Sequence, residues 1–156
     1  MKNRQEIYII TGIILFFDQL IKLIINNTMN LYQEIVIIPK VFSIYFTKNT
    51  GAAFSILENN TTLLIIITVI IIYIIDKFIK KETSFNKLST ISLGLVMGGI
   101  FGNLIDRIIH HGVIDYLSFS LINFKFPVFN LADICITMGV FFLFISLIKD
   151  KKEDKK

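Results

Sequence analysis

Residues 88–109 read LSTISLGLVMGGIFGNLIDRII, an apolar run that turns polar only at its end. Its 22 residues exceed the ~20 a helix needs to cross the hydrocarbon of a bilayer. Gly94, Gly98, Gly99 and Gly102 give it a face of small residues against which a neighbouring helix can pack closely. Asn103, Asp106 and Arg107 fill the last turns, with Asn103 and Asp106 three apart and so on one face. Ionisable groups at the edge of hydrocarbon are expensive, so their presence asks for a reason.

Three further stretches share this character: Ile7 to Ile25, Thr61 to Ile79 and Leu131 to Ile148. With 54% hydrophobic residues and a mean hydropathy of +0.70, the chain is too apolar for a single water-soluble core. Lipid offers the backbone no hydrogen-bond partners, so each stretch is expected to be helical despite its many isoleucines. The expectation is an all-α membrane protein: four transmembrane helices at about 7–25, 61–79, 88–109 and 131–148, in one integral membrane domain spanning 1–156. Eleven of the 16 Lys and Arg fall in the leader, the segment 76–87 and the tail from Lys149. That excess assigns both termini to the cytoplasm and turns the loops 26–60 and 110–130 outward. The net charge of +4 then follows from topology and attraction to anionic lipid, and no nucleic-acid partner is needed. The opening MKNR and its apolar run resemble a signal peptide, but Asp18 and Lys22 interrupt its end and no small-residue cleavage site follows, so it is expected to stay. Cys135, the single cysteine, is read as a small packing residue.

The outward loops carry β-favouring runs. In LYQEIVIIPKVFSIYFT, residues 31–47, two such runs at 34–38 and 41–46 are split by Pro39 and predict a hairpin on the membrane surface. Residues 113–129 are similarly rich in aromatic and β-branched side chains and predict further strands of the same element, with Lys125 reaching outward. Tyr8, Tyr32, Tyr45, Tyr73 and Tyr116 are the available interfacial anchors, and the charged tail is expected to fray.

Polar residues recur in one layer. Asp18 and Lys22, four apart on the first span, can pair, which is more often a packing device than a catalytic unit. Arg107 has the plain readings of a snorkelling side chain or a partner for Asp106. Asn130 reads as the N-cap of the last span and Asp133 as a first-turn carboxylate favoured by the helix dipole. These readings weaken once Asp115 joins the same layer, because clustered carboxylates repel unless protons or cations compensate. Two carboxylates sharing one proton can activate water for amide hydrolysis, one as base and the other as acid. That chemistry needs no metal, no cofactor and no nucleophilic Ser or Cys. His110 and His111 beside Gly112 are expected to be turn residues, with no further ligand spacing to make a metal site.

The motifs DQLIK (18–22), KNTGAAFS (48–55), GNLIDR (102–107), GVIDY (112–116) and FNLAD (129–133) together resemble the bacterial type II signal peptidases, the lipoprotein signal peptidases, over nearly the whole chain. The resemblance implies an inner-membrane aspartic endopeptidase. Such enzymes remove signal peptides from prolipoproteins on the N-terminal side of a diacylglyceryl-modified cysteine. It makes Asp115 and Asp133 the catalytic pair. Asp18, Lys22, Asn49, Gly51, Asn103, Asp106, Arg107, Asn130 and Ala132 become supporting residues. Asn49 and Asn130 hold substrate backbone or orient the pair, while Arg107 pairs with Asp106. The turn 51–54 and the sheet of 31–47 match the family's cradle over the substrate, and Tyr116 stands where Phe is common. The implied partners are lipid-modified precursors and membrane lipids, with the chain acting as a monomer.

Two other classes compete. A proton-coupled transporter subunit would relay protons through Asp18, Asp106 and Asp133, but the carboxylates gather in one leaflet and no inverted repeat is apparent. A structural membrane adaptor would have every acid merely paired. If the chain is a peptidase, the loop 31–60 is expected to move relative to the loop 110–130 to admit substrate from the side.

Overall fold

The computed structural model describes residues 2–51, 60–82, 84–121 and 124–153. Four helices, α1 (Lys2–Thr28), α2 (Thr61–Lys81), α3 (Lys87–His110) and α4 (Leu131–Glu153), alternate with the strands β1 (Glu34–Ile38), β2 (Phe42–Asn49), β3 (Val113–Leu121) and β4 (Phe124–Lys125). All four helices are long and apolar enough to cross a membrane. The helix α4 runs on to Glu153, so the first charged residues of the tail extend it instead of fraying from Lys149. Residues 52–55 of the second motif, the Lys125 side chain and residues 154–156 lie outside what is described.

The glycines of α3 set the packing. A Cβ on Gly94 would lie 2.6 Å from Ile10 Cβ, one on Gly98 2.6 Å from Ile14 Cβ, and one on Gly102 would collide with Asp18 Oδ2. Each step of four on α3 thus meets a step of four on α1, so the two helices run side by side in the same direction, as first and third spans must. A second face meets α4: a Cβ on Gly99 would fall 2.5 Å from Ala132 O, and one on Gly139 2.8 Å from Ser92 O. Close backbone approach replaces the hydrophobic effect as the packing force between helices in lipid. By contrast α2 buries only Leu64 and Ile79. It is tied at one end by Thr61, which donates to His111 O at 3.2 Å, and at the other by Tyr8, which donates to Asp76 Oδ1 at 2.7 Å.

The strands form one antiparallel sheet in the order β1-β2-β3-β4. Strands from the loops 26–60 and 110–130 therefore share one sheet: β2 pairs with β3 from Phe42↔Phe119 to Asn49↔Val113. Ladder hydrogen bonds join 42–49 to 113–121, so the movement of the loop 31–60 expected for substrate entry has to carry or part this ladder. Every residue of β1 is exposed, whereas Met29, Phe46, Ile114 and Tyr116 form a core cluster beneath the sheet. Tyr116, only 4% exposed, is a core residue whose hydroxyl accepts the Leu131 N–H at 3.2 Å. It is not an interfacial anchor, because strand alternation turns it inward with Ile114.

Candidate active site

The same alternation turns Asp115, between Ile114 and Tyr116, to the opposite face of β3. There it lines a cavity of about 280 Å³ together with Asn49, Asn103, Arg107, Val113, Phe129, Asp133 and Thr137. Asp133 reaches the cavity from the first turn of α4, where the chain caps itself. Asn130 Oδ1 accepts the Asp133 N–H at 3.0 Å, and Asp133 Oδ2 accepts the Asn130 N–H at 3.2 Å. This reciprocal cap satisfies two donors that a helix start leaves open.

Three asparagines tie the two aspartates together. Asn130 Nδ2 donates to Asp115 Oδ1 at 2.7 Å, and Asn103 Nδ2 donates to Asp133 Oδ1 at 2.8 Å. Asn49 hydrogen-bonds Asp115 from β2 while its Oδ1 accepts the Gly51 N–H at 2.9 Å. Burial, and next the nearby Asp133, push the Asp115 carboxyl up from 3.8 to about 7, against the opposing pull of Asn130, Asn49 and Lys22.

Behind the cavity lies a second, fully buried layer. Lys22 Nζ, on a side chain 2% exposed, sits 2.8 Å from Asp18 Oδ2 and 2.9 Å from Asp106 Oδ2 and donates to Asn103 Oδ1 at 3.0 Å. Asp18 Oδ1 accepts the Ala132 N–H at 3.0 Å, and Asp106 Oδ2 accepts the Ile114 N–H at 3.0 Å. Asp18, Lys22, Asp106 and Ala132 thus support the site without lining the cavity. The expected Arg107–Asp106 pair is absent among the described residues. Asp106 is taken by Lys22, and Arg107 extends over the cavity instead, donating to Asn103 O and Gly51 O at 3.3 Å each. Its buried Nε has no partner among the described residues.

Gln19, which donates to Asp106 Oδ1 at 3.0 Å and to Gly102 O at 3.1 Å, was not legible as a site residue, although it sits inside DQLIK. Thr137 was likewise missed, and its spacing of four from Asp133 on α4 was the available signal. His111 ends α3 with φ 56° and is exposed. Among the described residues no group of three or more His, Cys, Asp or Glu is placed to hold a metal ion.

The chain as a whole is similar to known proteins. The family model described as "Signal peptidase (SPase) II" matches residues 10–149. Lipoprotein signal peptidases of Symbiobacterium thermophilum and Bacillus subtilis are similar to the chain. The first is 41% identical, covering 84% of this chain and 86% of its own length; the second is 38% identical, covering 96% and 97%. Two solved structures, each described as a bacterial membrane enzyme, superpose with TM-scores of 0.86 and 0.82 at 33% and 34% identity. They cover 94% and 92% of this chain and 90% and 93% of their own. With a family match across nearly its full length and a fold shared with bacterial membrane enzymes, the chain belongs to the signal peptidase II family.

Proposed function

We propose that Asp115 and Asp133 are the catalytic pair of a membrane-embedded aspartic endopeptidase acting on diacylglyceryl-modified prolipoproteins. As a member of the signal peptidase II family the chain is a peptidase. The observation that carries the residue assignment is the convergence of the two carboxylates on one cavity, joined through Asn130, which bonds to both.

The asymmetry of the two carboxylates assigns their roles. Asp115, buried and pushed up to about 7, carries the shared proton. Asp133 accepts two N–H groups at a helix start, where the helix dipole favours negative charge, and serves as the base. Water attacks the scissile carbonyl carbon while Asp133 takes its proton and Asp115 gives its own to the carbonyl oxygen. The neutral gem-diol then collapses: the C–N bond breaks, Asp133 protonates the departing amine, and Asp115 recovers a proton from the diol hydroxyl. The pair ends as it began. Arg107 over the cavity is placed to hold a substrate carbonyl, and Asn49 to orient Asp115.

In the membrane, the Lys/Arg excess supports cytoplasmic termini and a site near the outer leaflet. The exposed apolar strand β1 supports contact of the sheet with lipid. The chain acts as a monomer in this reading, since one chain supplies both aspartates.

The test is cleavage of a diacylglyceryl-modified precursor peptide, beside the unmodified peptide, by purified protein. Asp115→Asn and Asp133→Asn are each expected to lower kcat by about 10³-fold or more while the protein stays folded. Full activity in either variant would remove that residue from the chemistry.

A further inference from the structure

The buried layer behind the cavity has a symmetry that links it to the reaction. Each aspartate of the pair follows a residue whose backbone N–H is held by a buried carboxylate. Asp106 holds Ile114, one residue before Asp115, and Asp18 holds Ala132, one residue before Asp133. Both of those carboxylates end on the same ammonium, Lys22 Nζ. The third N–H of that ammonium goes to Asn103 Oδ1, and its three donors are then all used.

That third bond settles an ambiguity. An asparagine amide can present either its oxygen or its NH₂ to a neighbour. A lysine ammonium has no acceptor, so it fixes the Asn103 oxygen toward α1 and turns the NH₂ to Asp133 Oδ1, 2.8 Å away. The other donor to Asn103 Oδ1, Asn130 Nδ2 at 3.2 Å, is divided among Asp115 Oδ1 at 2.7 Å and Ile114 O at 3.3 Å as well, so Lys22 is the stronger constraint. A flipped amide would set NH₂ against ammonium and oxygen against carboxylate.

We propose that Lys22 is a positioning residue for hydrolysis: one ammonium sets the spacing of Asp115 and Asp133 through Asp106 and Asp18, and the orientation of the Asn103 amide directly. The inference rests on the assignment of Asp115 and Asp133 made above. A buried ammonium must satisfy its third donor in either case; what marks positioning is that this donor ends on an amide bonded to Asp133, and the kcat and stability readouts below separate the two roles.

Lys22→Met alone leaves two carboxylates without their cation and endangers folding. The double variant Lys22→Met/Asp18→Asn conserves the charge of the layer and leaves an oxygen to accept each backbone N–H, while deleting the link to Asn103. Thermal unfolding in detergent and steady-state cleavage of a diacylglyceryl-modified precursor peptide are measured together. The expected result is a folded protein with kcat lowered about 100-fold, the scale of a small misplacement of reacting groups, and KM within about threefold of the parent. A folded variant with kcat within about threefold of the parent, or with the loss lying in KM, overturns the proposal. Failure of the double variant to fold overturns it too, by assigning Lys22 to stability. Absence of cleavage by the unsubstituted protein would instead refute the peptidase assignment and take the inference with it.

Discussion

Asn130 and Asp133 cap each other: each backbone N–H is accepted by the other's side chain, at 3.2 and 3.0 Å. The start of α4 and the placement of one of the two proposed catalytic carboxylates are therefore a single structural event. Asn130 is also fully buried, and its Nδ2 serves Asp115, so its two ends have separable duties.

That separation is testable. Asn130→Ala removes both duties and is expected to cost about 1–3 kcal/mol of stability and at least about tenfold in kcat. Asn130→Ser keeps a capping oxygen but not the donor to Asp115. It is expected to recover much of the stability in thermal unfolding and little of the turnover. Recovery of both together would show that the bond to Asp115 is idle.

The raised Asp115 carboxyl makes stability and activity depend on pH in the same direction. The folded protein holds a proton that the unfolded chain releases between 3.8 and about 7. Its contribution to stability is whole below that window, declines through it, and is lost by up to about 4 kcal/mol above it. With Asp115 as the acid, kcat is expected to fall about tenfold per pH unit above about 7. Asp115→Asn is expected to unfold at higher temperature than the parent at pH 8 and to flatten the pH dependence of stability. Calorimetry or dye-monitored melting at pH 5 and pH 8 would detect the opposite order.

Two glycines, one on each of the parallel helices, predict opposite outcomes. A Cβ on Gly98 meets Ile14 Cβ at 2.6 Å and Thr11 O at 3.0 Å, whereas one on Gly12 meets nothing within 4 Å. Gly98→Leu is expected to destabilise by at least about 2 kcal/mol and to lower activity by spreading α1 from α3. Gly12→Ala is expected to be neutral or to stabilise by up to about 1 kcal/mol. Equal melting temperatures for the two variants would mean that the close approach carries no packing energy.

Because the proposed chemistry uses two carboxylates and water, extensive treatment with a chelator is expected to leave cleavage unchanged. A loss restored by added zinc would redirect attention to His110 and His111, adjacent at the end of α3.

The four helices and the hairpin of 34–38 and 41–46 were legible because bilayer thickness and β-favouring runs split by Pro39 constrain them locally: a run of ~20 apolar residues has few other fates. The β2–β3 pairing was only half legible. Residues 42–49 and 113–121 each favour strand, but their antiparallel register depends on α2 and α3 lying between them in sequence. Asp115 and Asp133 stood out by chemistry and by motif, and the structure brings them to one cavity. Arg107 was misread because a neighbour in sequence looked like its partner. On a helix adjacent residues point about 100° apart, and Asp106 turns toward Lys22 on another helix. Tyr116 was misread because a tyrosine in an outward loop suits an interface equally well until the strand's inward face is known.

The contact of Gly102 with the Asp18 carboxylate has a bearing on how this protein tolerates change. There two helices touch through a carboxylate that also braces the proposed catalytic pair, so packing and turnover draw on the same atoms. Thermostabilising substitutions at that seam should therefore forfeit turnover. The lipid-facing middle of α2, which touches so little, is where engineering and natural drift have room to act.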